Sequence, residues 1–385
     1  MEASGPPGDP LDEVFGECAQ RLEARVLAPL FENGARLAFS PAALDEAETR
    51  ELAKRAQELQ ISEPPHGGLG KDEEWARALC GKTLLEDWAT SPTALRYLAR
   101  AYANATAPLP AARIMGILNV TPDSFSDGGT FLDQRQAIDQ GLKLIDEGAD
   151  ILDIGGESTR PGARPVDAEE ELRRVLPIIE HLQGKVPLSI DTQKARVAER
   201  ALATGAEMVN DVSAGSDPSM FGVIHEAGAS VCLMHMQGTP ETMQRKPAYQ
   251  DCVREVTAFL RERAGSALKA GIPGTKIVLD PGIGFGKRQE DNVKLIRAIP
   301  ELRSLGQSLC LGVSRKSILG TLSGEPQASQ RDPETTAAVS LSASLGASLH
   351  RVHNVVSARK ALAVTCAVMG SPMPDGVELE REDTR

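Results

Sequence analysis

From residue 113 onward, short apolar runs alternate with longer segments that have helical periodicity. The apolar runs are rich in Ile, Val and Leu and are typical of buried strands. Eight strands are predicted, at Ile114–Val120, Ile151–Gly155, Leu188–Asp191, Met208–Val212, Ser230–His235, Ile277–Asp280, Leu309–Val313 and Leu349–Val355. Helices are expected between them, for example at Arg135–Glu147, Ala168–His181, Ala195–Thr204, Val253–Ala270 and Pro333–Leu345. Alternating strands and helices predict a parallel sheet.

The number of repeating units indicates how this sheet is arranged. Eight strand–helix units in roughly 260 residues predict a closed barrel. The predicted fold class is therefore α/β, a (β/α)8 TIM barrel over residues 113–370. An open doubly wound sheet is the alternative, although such sheets usually have fewer strands. No G-x-G-x-x-G sequence follows the first strand, which disfavours the dinucleotide-binding form of that sheet.

The two ends of the chain have different patterns. Residues 1–112 show helical periodicity without clear strands and are predicted to form an N-terminal helical extension of unknown role. Ser40-Pro41 is a favourable helix start, because it supplies an N-cap oxygen and a residue preset for the first turn. Pro108-Leu109-Pro110 is the candidate linker to the barrel. Residues 371–385 are expected to form a polar C-terminal tail.

Composition narrows the classes of function. The formal net charge is −12 at pH 7, which argues against general binding to nucleic acid or membranes and requires any anionic substrate to meet a local group of cations. Six scattered cysteines contain no C-x-x-C pair, so neither a zinc ribbon nor a disulfide framework is predicted. The N-terminus has no signal-peptide pattern, and no stretch is long enough to span a bilayer. A cytoplasmic location is expected.

Polar residues follow every predicted strand, at the barrel end where active sites lie. They comprise Asn119, Gly155–Gly162, Asp191-Thr192, Asn210-Asp211, Met234–Gly238, Asp280–Lys287, Ser314–Ser317 and Arg351–Asn354. Taken singly, such residues can be helix caps or tight turns, and Arg351 and His353 could be structural side chains with nearby acceptors. Their presence at all eight strand ends is hard to explain by capping alone.

Strand periodicity indicates which of these side chains face inward. Successive residues alternate between faces, so Ser189 and Asp191 share the lumen side, as do Val278 and Asp280. Buried carboxylates are costly unless they are paired or hydrogen-bonded, which indicates a polar ligand with several donors. The predicted mouth of the barrel contains Asp191, Asn210, Asp280 and Lys316 at depth, and Arg160, Arg315, Arg351 and His353 as a cationic set.

Eight segments at these strand ends resemble the motifs of dihydropteroate synthases. They are NVTPDSFSDGG at 119–129, DIGGESTRPGA at 153–163, SIDT at 189–192, ND at 210–211, LMHMQG at 233–238, DPGIGFGK at 280–287, SRKS at 314–317 and RVH at 351–353. The first two are long and specific, whereas ND or SRKS alone would be weak. Residues 113–370 contain all eight, in the order and with the spacing of the family.

The resemblance implies a (β/α)8 barrel that joins p-aminobenzoate to a dihydropterin-methyl diphosphate and releases diphosphate. It implies a pterin pocket formed by Asp191, Asn210, Asp280 and Lys316. The diphosphate is expected against Asn119, Arg351 and His353, with Mg²⁺ as cofactor and Asn119 as its protein contact. The p-aminobenzoate site is expected to comprise Phe125, Thr159, Arg160, Pro161, Phe285, Lys287, Ser314 and Arg315. A homodimer through barrel helices is also implied.

The expected chemistry needs no covalent intermediate with the protein. The diphosphate leaves, the pterin ring stabilises positive charge on its methylene carbon, and the amine attacks that carbon in an S_N1-like step. Asn119, Lys316, Arg351 and His353 are the expected catalytic residues, acting through position and electrostatics. No Ser-His-Asp set or activated cysteine is proposed.

One departure and two rival functions remain open. The family usually has Asp where this chain has Asn354, but Asn caps a helix about as well, so activity is expected to be retained. One rival is the pterin-binding domain of a corrinoid-dependent methyltransferase, whose partner module carries D-x-H-x-x-G. The nearest run here, Val223–Gly228, lacks that Asp. The other rival is a non-catalytic pterin-binding paralogue.

Overall fold

Eight parallel strands close into a barrel in the computed structural model, which describes residues 109–120 and 130–374. The strands are β1 (Arg113–Asn119), β2 (Ile151–Gly155), β3 (Leu188–Asp191), β4 (Met208–Asp211), β5 (Ser230–Met234), β6 (Ile277–Asp280), β7 (Ser308–Leu311) and β8 (Leu349–Val352). Each strand pairs with its neighbours in sequence, and β8 pairs with β1. The predicted (β/α)8 barrel is confirmed.

Helices follow the strands around the barrel. They are α1 (Thr130–Asp146), α2 (Ala168–Leu182), α3 (Ala195–Thr204), α4 (Met220–Ala227), α5 (Cys252–Lys269), α6 (Gln289–Arg297), α7 (Ile299–Arg303), α8 (Ser317–Ser323), α9 (Asp332–Leu345) and α10 (Val355–Met369). The predicted eighth strand was too long, because Asn354 caps α10 by accepting a hydrogen bond from the backbone N–H of Ser357, so Val355 begins that helix.

An apolar layer closes the interior of the barrel below its polar mouth. It consists of Met115, Met208, Cys232, Cys310 and Leu349, with Ile151 and Val278 packed against them. Seven of the eight strands contribute one residue each to this layer. Side chains on one face of a strand recur every second residue, about 6.6 Å apart, so the next inward residue on each of these strands is two positions further along the chain. The apolar layer therefore fixes the height of the next layer, in which the polar residues lie.

Some sequence predictions concern parts of the chain outside this description. Residues 1–108 and 375–385 are not among the described residues, so the helical extension and the polar tail stay predictions, as does the cytoplasmic location. Cys232, Cys252, Cys310 and Cys366 are free and buried, as expected of core thiols. Within residues 109–120 and 130–374, no helix is long and apolar enough to cross a membrane.

Candidate active site

A layer of charged and amide side chains lies directly above the apolar layer. Its members follow apolar-layer residues by two positions on the same strand: Asp153 on β2, Asn210 on β4, Asp280 on β6 and Arg351 on β8, while Asp191 ends β3. All four of the carboxylate and amide side chains are buried, at 0–6% exposure. Strand alternation thus gathers into one layer residues that are up to 198 positions apart in sequence.

Arg351 joins two carboxylates across this layer. Its Nε donates to Oδ2 of Asp153 at 2.6 Å, and Nη2 donates to Oδ2 of Asp191 at 2.8 Å. The Nδ2 of Asn210 donates to the same Asp153 oxygen at 3.0 Å. The Oδ1 atoms of Asp153 and Asp191 are buried without a partner among the described residues. They are acceptors available to a ligand that brings N–H groups into the barrel.

One guanidinium shared by two carboxylates leaves excess negative charge in a dry site. Burial raises the pKa of Asp191, and the charge of Asp153 adds to the rise, while Arg351 opposes it. Arg351 was expected at the diphosphate. Here its guanidinium lies between two carboxylates of the polar layer, so in this structure its positive charge neutralises part of their negative charge.

Asp280 and Lys316 form the other side of the layer. Burial raises the pKa of Asp280, with Lys316 opposing, and burial lowers the pKa of Lys316 to about 8, so the lysine remains largely charged at pH 7. The Nζ of Lys316 donates to the carbonyl of Ile283 and lies 4.4 Å from the centre of the Phe285 ring. A Cβ built on Gly312 would lie 3.8–3.9 Å from Asp280, Lys316 and Arg351, so this glycine leaves space between them.

The loop after β6 can pack on its neighbour only because it contains glycines. Gly282 and Gly286 have positive φ angles of +69° and +62°. A Cβ on Gly282 would come within 1.9 Å of the carbonyl oxygen of His235, and one on Gly286 within 2.4 Å of that of Gln237. The backbone N–H of Gly282 also donates to Oδ1 of Asp280 at 2.7 Å. The glycines thus orient a carboxylate of the polar layer as well as turning the chain.

Lys287 is buried beneath this loop. Its Nζ contacts Nδ1 of His235 at 2.9 Å and the backbone carbonyls of His235 and Phe285 at 3.2 and 3.0 Å. Burial lowers the pKa of Lys287 to about 7, and burial together with that lysine lowers the pKa of His235 to about 3. The side chain of Lys287 thus joins the β5 and β6 loops, and its expected place against a substrate ring stays a prediction.

His353 and Ser314 connect the ends of β7 and β8. The Oγ of Ser314 accepts from the backbone N–H of His353 at 3.2 Å and lies 2.9 Å from Nδ1 of its ring. His353 was predicted to belong to a cationic set, but burial and the nearby charges of Arg315, Arg351 and Arg160 lower its pKa to about 3. The ring is neutral at pH 7. Because the Ser314 hydroxyl can then donate to Nδ1, we assign the proton to Nε2, which is a donor.

The loop after β2 is held by a buried carboxylate. Glu157 accepts hydrogen bonds from the backbone N–H of Val166 at 2.6 Å, Nε2 of Gln193 at 3.0 Å and Nζ of Lys194 at 2.7 Å. The same lysine contacts Glu171 on α2 at 2.5 Å. Within the loop, Thr159 is half-buried, whereas Arg160 and Pro161 are exposed at the rim. The backbone N–H of the next residue, Gly162, donates to the carbonyl of Pro240 in the β5 loop at 3.0 Å.

One of the predicted ligand contacts, Asn119, lies at the end of β1. Asn119 is its last residue and is half-buried, while Phe125 lies outside the described residues. Among the side chains that the structure describes, no group of three or more His, Cys, Asp and Glu residues could hold a metal ion. A single amide oxygen fits Mg²⁺ in the manner usual for that ion, which takes few protein ligands and completes its shell with phosphate oxygens and water.

Comparison with known proteins places this geometry in a family. A family model described as pterin binding enzyme matches residues 115–353. Curated dihydropteroate synthases of Neisseria meningitidis and Escherichia coli are 47% and 42% identical, over 66% and 67% of this chain and 91% and 92% of theirs. The chain belongs to the dihydropteroate synthase family.

Solved structures of the dihydropteroate synthase family share the barrel. The Xanthomonas albilineans enzyme with 4-aminobenzoic acid is 48% identical, has a TM-score of 0.64, and is matched over 68% of this chain and 94% of its own. Its complex with 7,8-dihydropteroate is 45% identical with a TM-score of 0.62, over 68% and 95% of the two chains. Members of this family are transferases that make dihydropteroate.

Sequence reasoning overlooked two residues in this member of the dihydropteroate synthase family. Asp153 lies within the DIGGESTRPGA motif, and the alternation that selects Asp191 also selects it, since Ile151, Asp153 and Gly155 share a face. No strand or helix periodicity pointed to Glu157, because it lies in a loop and its side-chain partners Gln193 and Lys194 come from another part of the chain. The run Val223–Gly228 is ordinary helix: it ends α4, and Gly228 is the left-handed C-cap.

The charge arrangement predicts a pH-dependent effect of Asp191→Asn on stability. A raised pKa means that folded Asp191 keeps its proton after the unfolded chain has lost it, so the wild type loses stability as pH rises above the ordinary value of about 4. The asparagine variant does not titrate there. Its melting temperature relative to wild type should therefore increase between pH 5 and pH 8, as followed by circular dichroism.

The exposed Asp139 on α1 provides a matched control, since Asp139→Asn removes the same charge from the surface. Its difference from wild type should change less over that range. A difference for Asp191→Asn that does not increase from pH 5 to pH 8 would contradict the raised pKa.

Proposed function

We propose that this chain condenses p-aminobenzoate with (7,8-dihydropterin-6-yl)methyl diphosphate to give 7,8-dihydropteroate and diphosphate. The observation that carries the proposal is the buried polar layer, in which Asp153, Asp191, Asn210 and Asp280 lie beside Arg351 and Lys316. Family membership supports the same reaction. A methyltransferase domain would need the carboxylates but not Asn119, Arg351 and His353 together. The intact motifs after β1 and β2 argue against a non-catalytic paralogue.

The donor pattern of a pterin suits this layer. Its pyrimidine edge presents several N–H donors, and ionised carboxylates are acceptors only. The partnerless Oδ1 of Asp191 and the carboxylate of Asp280 provide acceptors, Asn210 provides both functions, and Lys316 donates. A pocket of this kind discriminates strongly against an analogue without those N–H groups, because its polar side chains would be left unpaired.

The diphosphate is proposed to bind above Arg351, near the neutral His353 and Asn119. A neutral histidine with its proton on Nε2 can donate to a phosphate oxygen without repelling Mg²⁺. We propose that Asn119 would be the protein ligand of Mg²⁺, with phosphate oxygens of the substrate and water as its other ligands. When bound, the ion would neutralise charge on the leaving diphosphate.

The p-aminobenzoate site is proposed at the rim, between the β2 loop and the β7 end. Arg315 is suited to its carboxylate and Phe285 to its ring, and we retain Ser314, whose hydroxyl proton is directed at Nδ1 of His353, as a proposed contact only. Thr159, Arg160 and Pro161 belong to the loop that Glu157 holds in place and that reaches the β5 loop through Gly162. We retain Phe125 as a proposed contact.

These residues can promote the reaction without forming a bond to substrate. Arg351 and Lys316 stabilise negative charge on the departing group, and the buried carboxylates favour positive charge on the pterin as its carbon–oxygen bond breaks. The β2 and β6 loops position the amine of p-aminobenzoate for attack on the methylene carbon. The amine then loses its proton to solvent.

A turnover assay tests the proposal. Diphosphate release should require p-aminobenzoate, the dihydropterin diphosphate and Mg²⁺ together, and the organic product should have the mass of dihydropteroate. Binding of the pterin without diphosphate release would favour the paralogue. Repeating the assay on a chain that begins at Leu109 would show whether residues 1–108 are needed.

Asp280→Asn should decrease kcat/KM by about 100-fold or more, since the variant offers a pterin donor one acceptor fewer and loses a buried charge. The amide oxygen can still accept from the N–H of Gly282, so the loop should keep its fold. Steady-state kinetics measure the change, with Asp139→Asn as the charge-matched control. A kcat/KM within threefold of wild type would remove Asp280 from the site.

The homodimer is also a proposal, and exposed apolar side chains support it. Helices α9 and α10 pack side by side, and Leu341, Val364 and Val368 on them are 51%, 66% and 79% exposed. A second copy of this chain could cover such a face, as the family resemblance implies.

Replacing Val364 and Val368 with Glu should convert a dimer to a monomer, because two charges would be buried at the interface. Sedimentation velocity measures the mass. Leu268→Glu on α5 is a control at another exposed apolar position and should leave the dimer intact. A double variant that sediments like the wild type would exclude this face.

A further inference from the structure

The rim residue Arg315 has an unusual backbone that its surroundings hold in place. Its φ angle is +57°, which a non-glycine residue rarely adopts. Its N–H donates to Oγ1 of Thr335 at 3.1 Å, and its carbonyl accepts from Nη1 of Arg331 at 3.0 Å. Both partners belong to the start of α9. Strained residues that are fixed in this way occur at sites where the orientation of a side chain matters.

The side chain of Arg315 is fixed as well. Its Nε donates to Oδ1 of Asp332 at 2.7 Å, and Nη2 donates to Oδ2 at 2.9 Å. Two parallel bonds define the plane of the guanidinium. The hydrogen bonds from Arg315 hold the pKa of Asp332 below its usual range. Among the described residues, Nη1 of Arg315 has no hydrogen-bond partner. The edge of the guanidinium that carries Nη1, called the free edge below, can therefore donate to an anion.

Asn354 completes the arrangement from the end of β8. Its Nδ2 donates to Oδ2 of Asp332 at 2.9 Å, while its Oδ1 accepts from the N–H of Ser357 and caps α10. An amide can perform both functions, because it has a donor and an acceptor. An ionised aspartate at this position could keep the cap but would face the Asp332 carboxylate with a like charge at about 3 Å, which is unfavourable.

We infer that Asp332 and Asn354 are matched positioning residues for Arg315: the carboxylate fixes the guanidinium, the amide fixes the carboxylate, and the free edge binds the carboxylate of the aromatic amine substrate. This inference depends on the proposed function, since it assigns the p-aminobenzoate end of that site. It also accounts for the asparagine at 354, where the sequence resemblance leads one to expect aspartate. The carboxylate that faces Arg315 comes from α9 in this chain.

A purely structural role would leave a different signature. If Asp332 and Asn354 only stabilised the starts of α9 and α10, substitutions would lower the melting temperature and change both substrate KM values alike, or neither. A positioning role predicts a selective change. The KM for p-aminobenzoate should rise, while the KM for the pterin diphosphate should stay within twofold of wild type.

Three variants of the full-length chain test the inference: Asp332→Asn, Asn354→Asp, and the double exchange of both. Each single variant should raise the KM for p-aminobenzoate by about five- to tenfold, the first because Arg315 loses its charged partner and the second because two carboxylates repel. The double exchange restores one carboxylate and one amide. It should lower that KM by about threefold or more from the worse single variant, which is a coupling that independent sites do not show.

The controls separate this inference from the proposed function. Wild type and Asp139→Asn should both turn over both substrates, and if wild type does not, the proposed function itself fails. If wild type is active, the inference is overturned when the double exchange is no better than the worse single variant, or when both KM values rise together. Should Asp332→Asn not fold, Asn354→Asp against the double exchange gives the same comparison, with the melting temperature of each recorded.

Discussion

The site depends on a single geometric relation, the two-residue repeat of side chains along each strand. The lumen of this barrel is closed by methionine, cysteine, leucine, isoleucine and valine side chains. Two positions further along, five of the contributing segments have Asp153, Asn210, Asp280, Gly312 and Arg351. Because the apolar layer excludes water from below, charged side chains in the next layer must pair with one another or with polar groups of a bound ligand. A displacement of any strand by one residue would turn its polar side chain toward the helices.

Negative and positive side chains lie at different depths in the mouth of the barrel. Carboxylates outnumber cations in the polar layer, where Arg351 is shared by Asp153 and Asp191, and burial raises the pKa values of Asp191 and Asp280. Cationic side chains lie at the rim, where Arg315 is fixed by Asp332 and Arg160 is exposed. A ligand with N–H donors at one end and anionic groups at the other matches this division.

A charged residue that follows a strand in the sequence does not necessarily contact the substrate. Glu157, Lys194 and Lys287 are charged residues near the mouth, yet their contacts join loops to one another. These contacts make the loops rigid. A substrate that binds to side chains already held in place loses less binding free energy to ordering the loops. Asn354 serves two elements at once, as cap of α10 and as donor to Asp332.

The sequence by itself determined the barrel and most of the inward-facing residues, because strand and helix periodicities are local and the polar residues after each strand mark one end of a parallel barrel. It also contained motifs that are specific enough to identify the family. Only the tertiary structure decided which charges meet: Arg351 with Asp153 and Asp191, Lys287 with His235, and Arg315 with Asp332. These contacts join segments far apart in the chain, and their protonation depends on burial, which a sequence pattern does not specify.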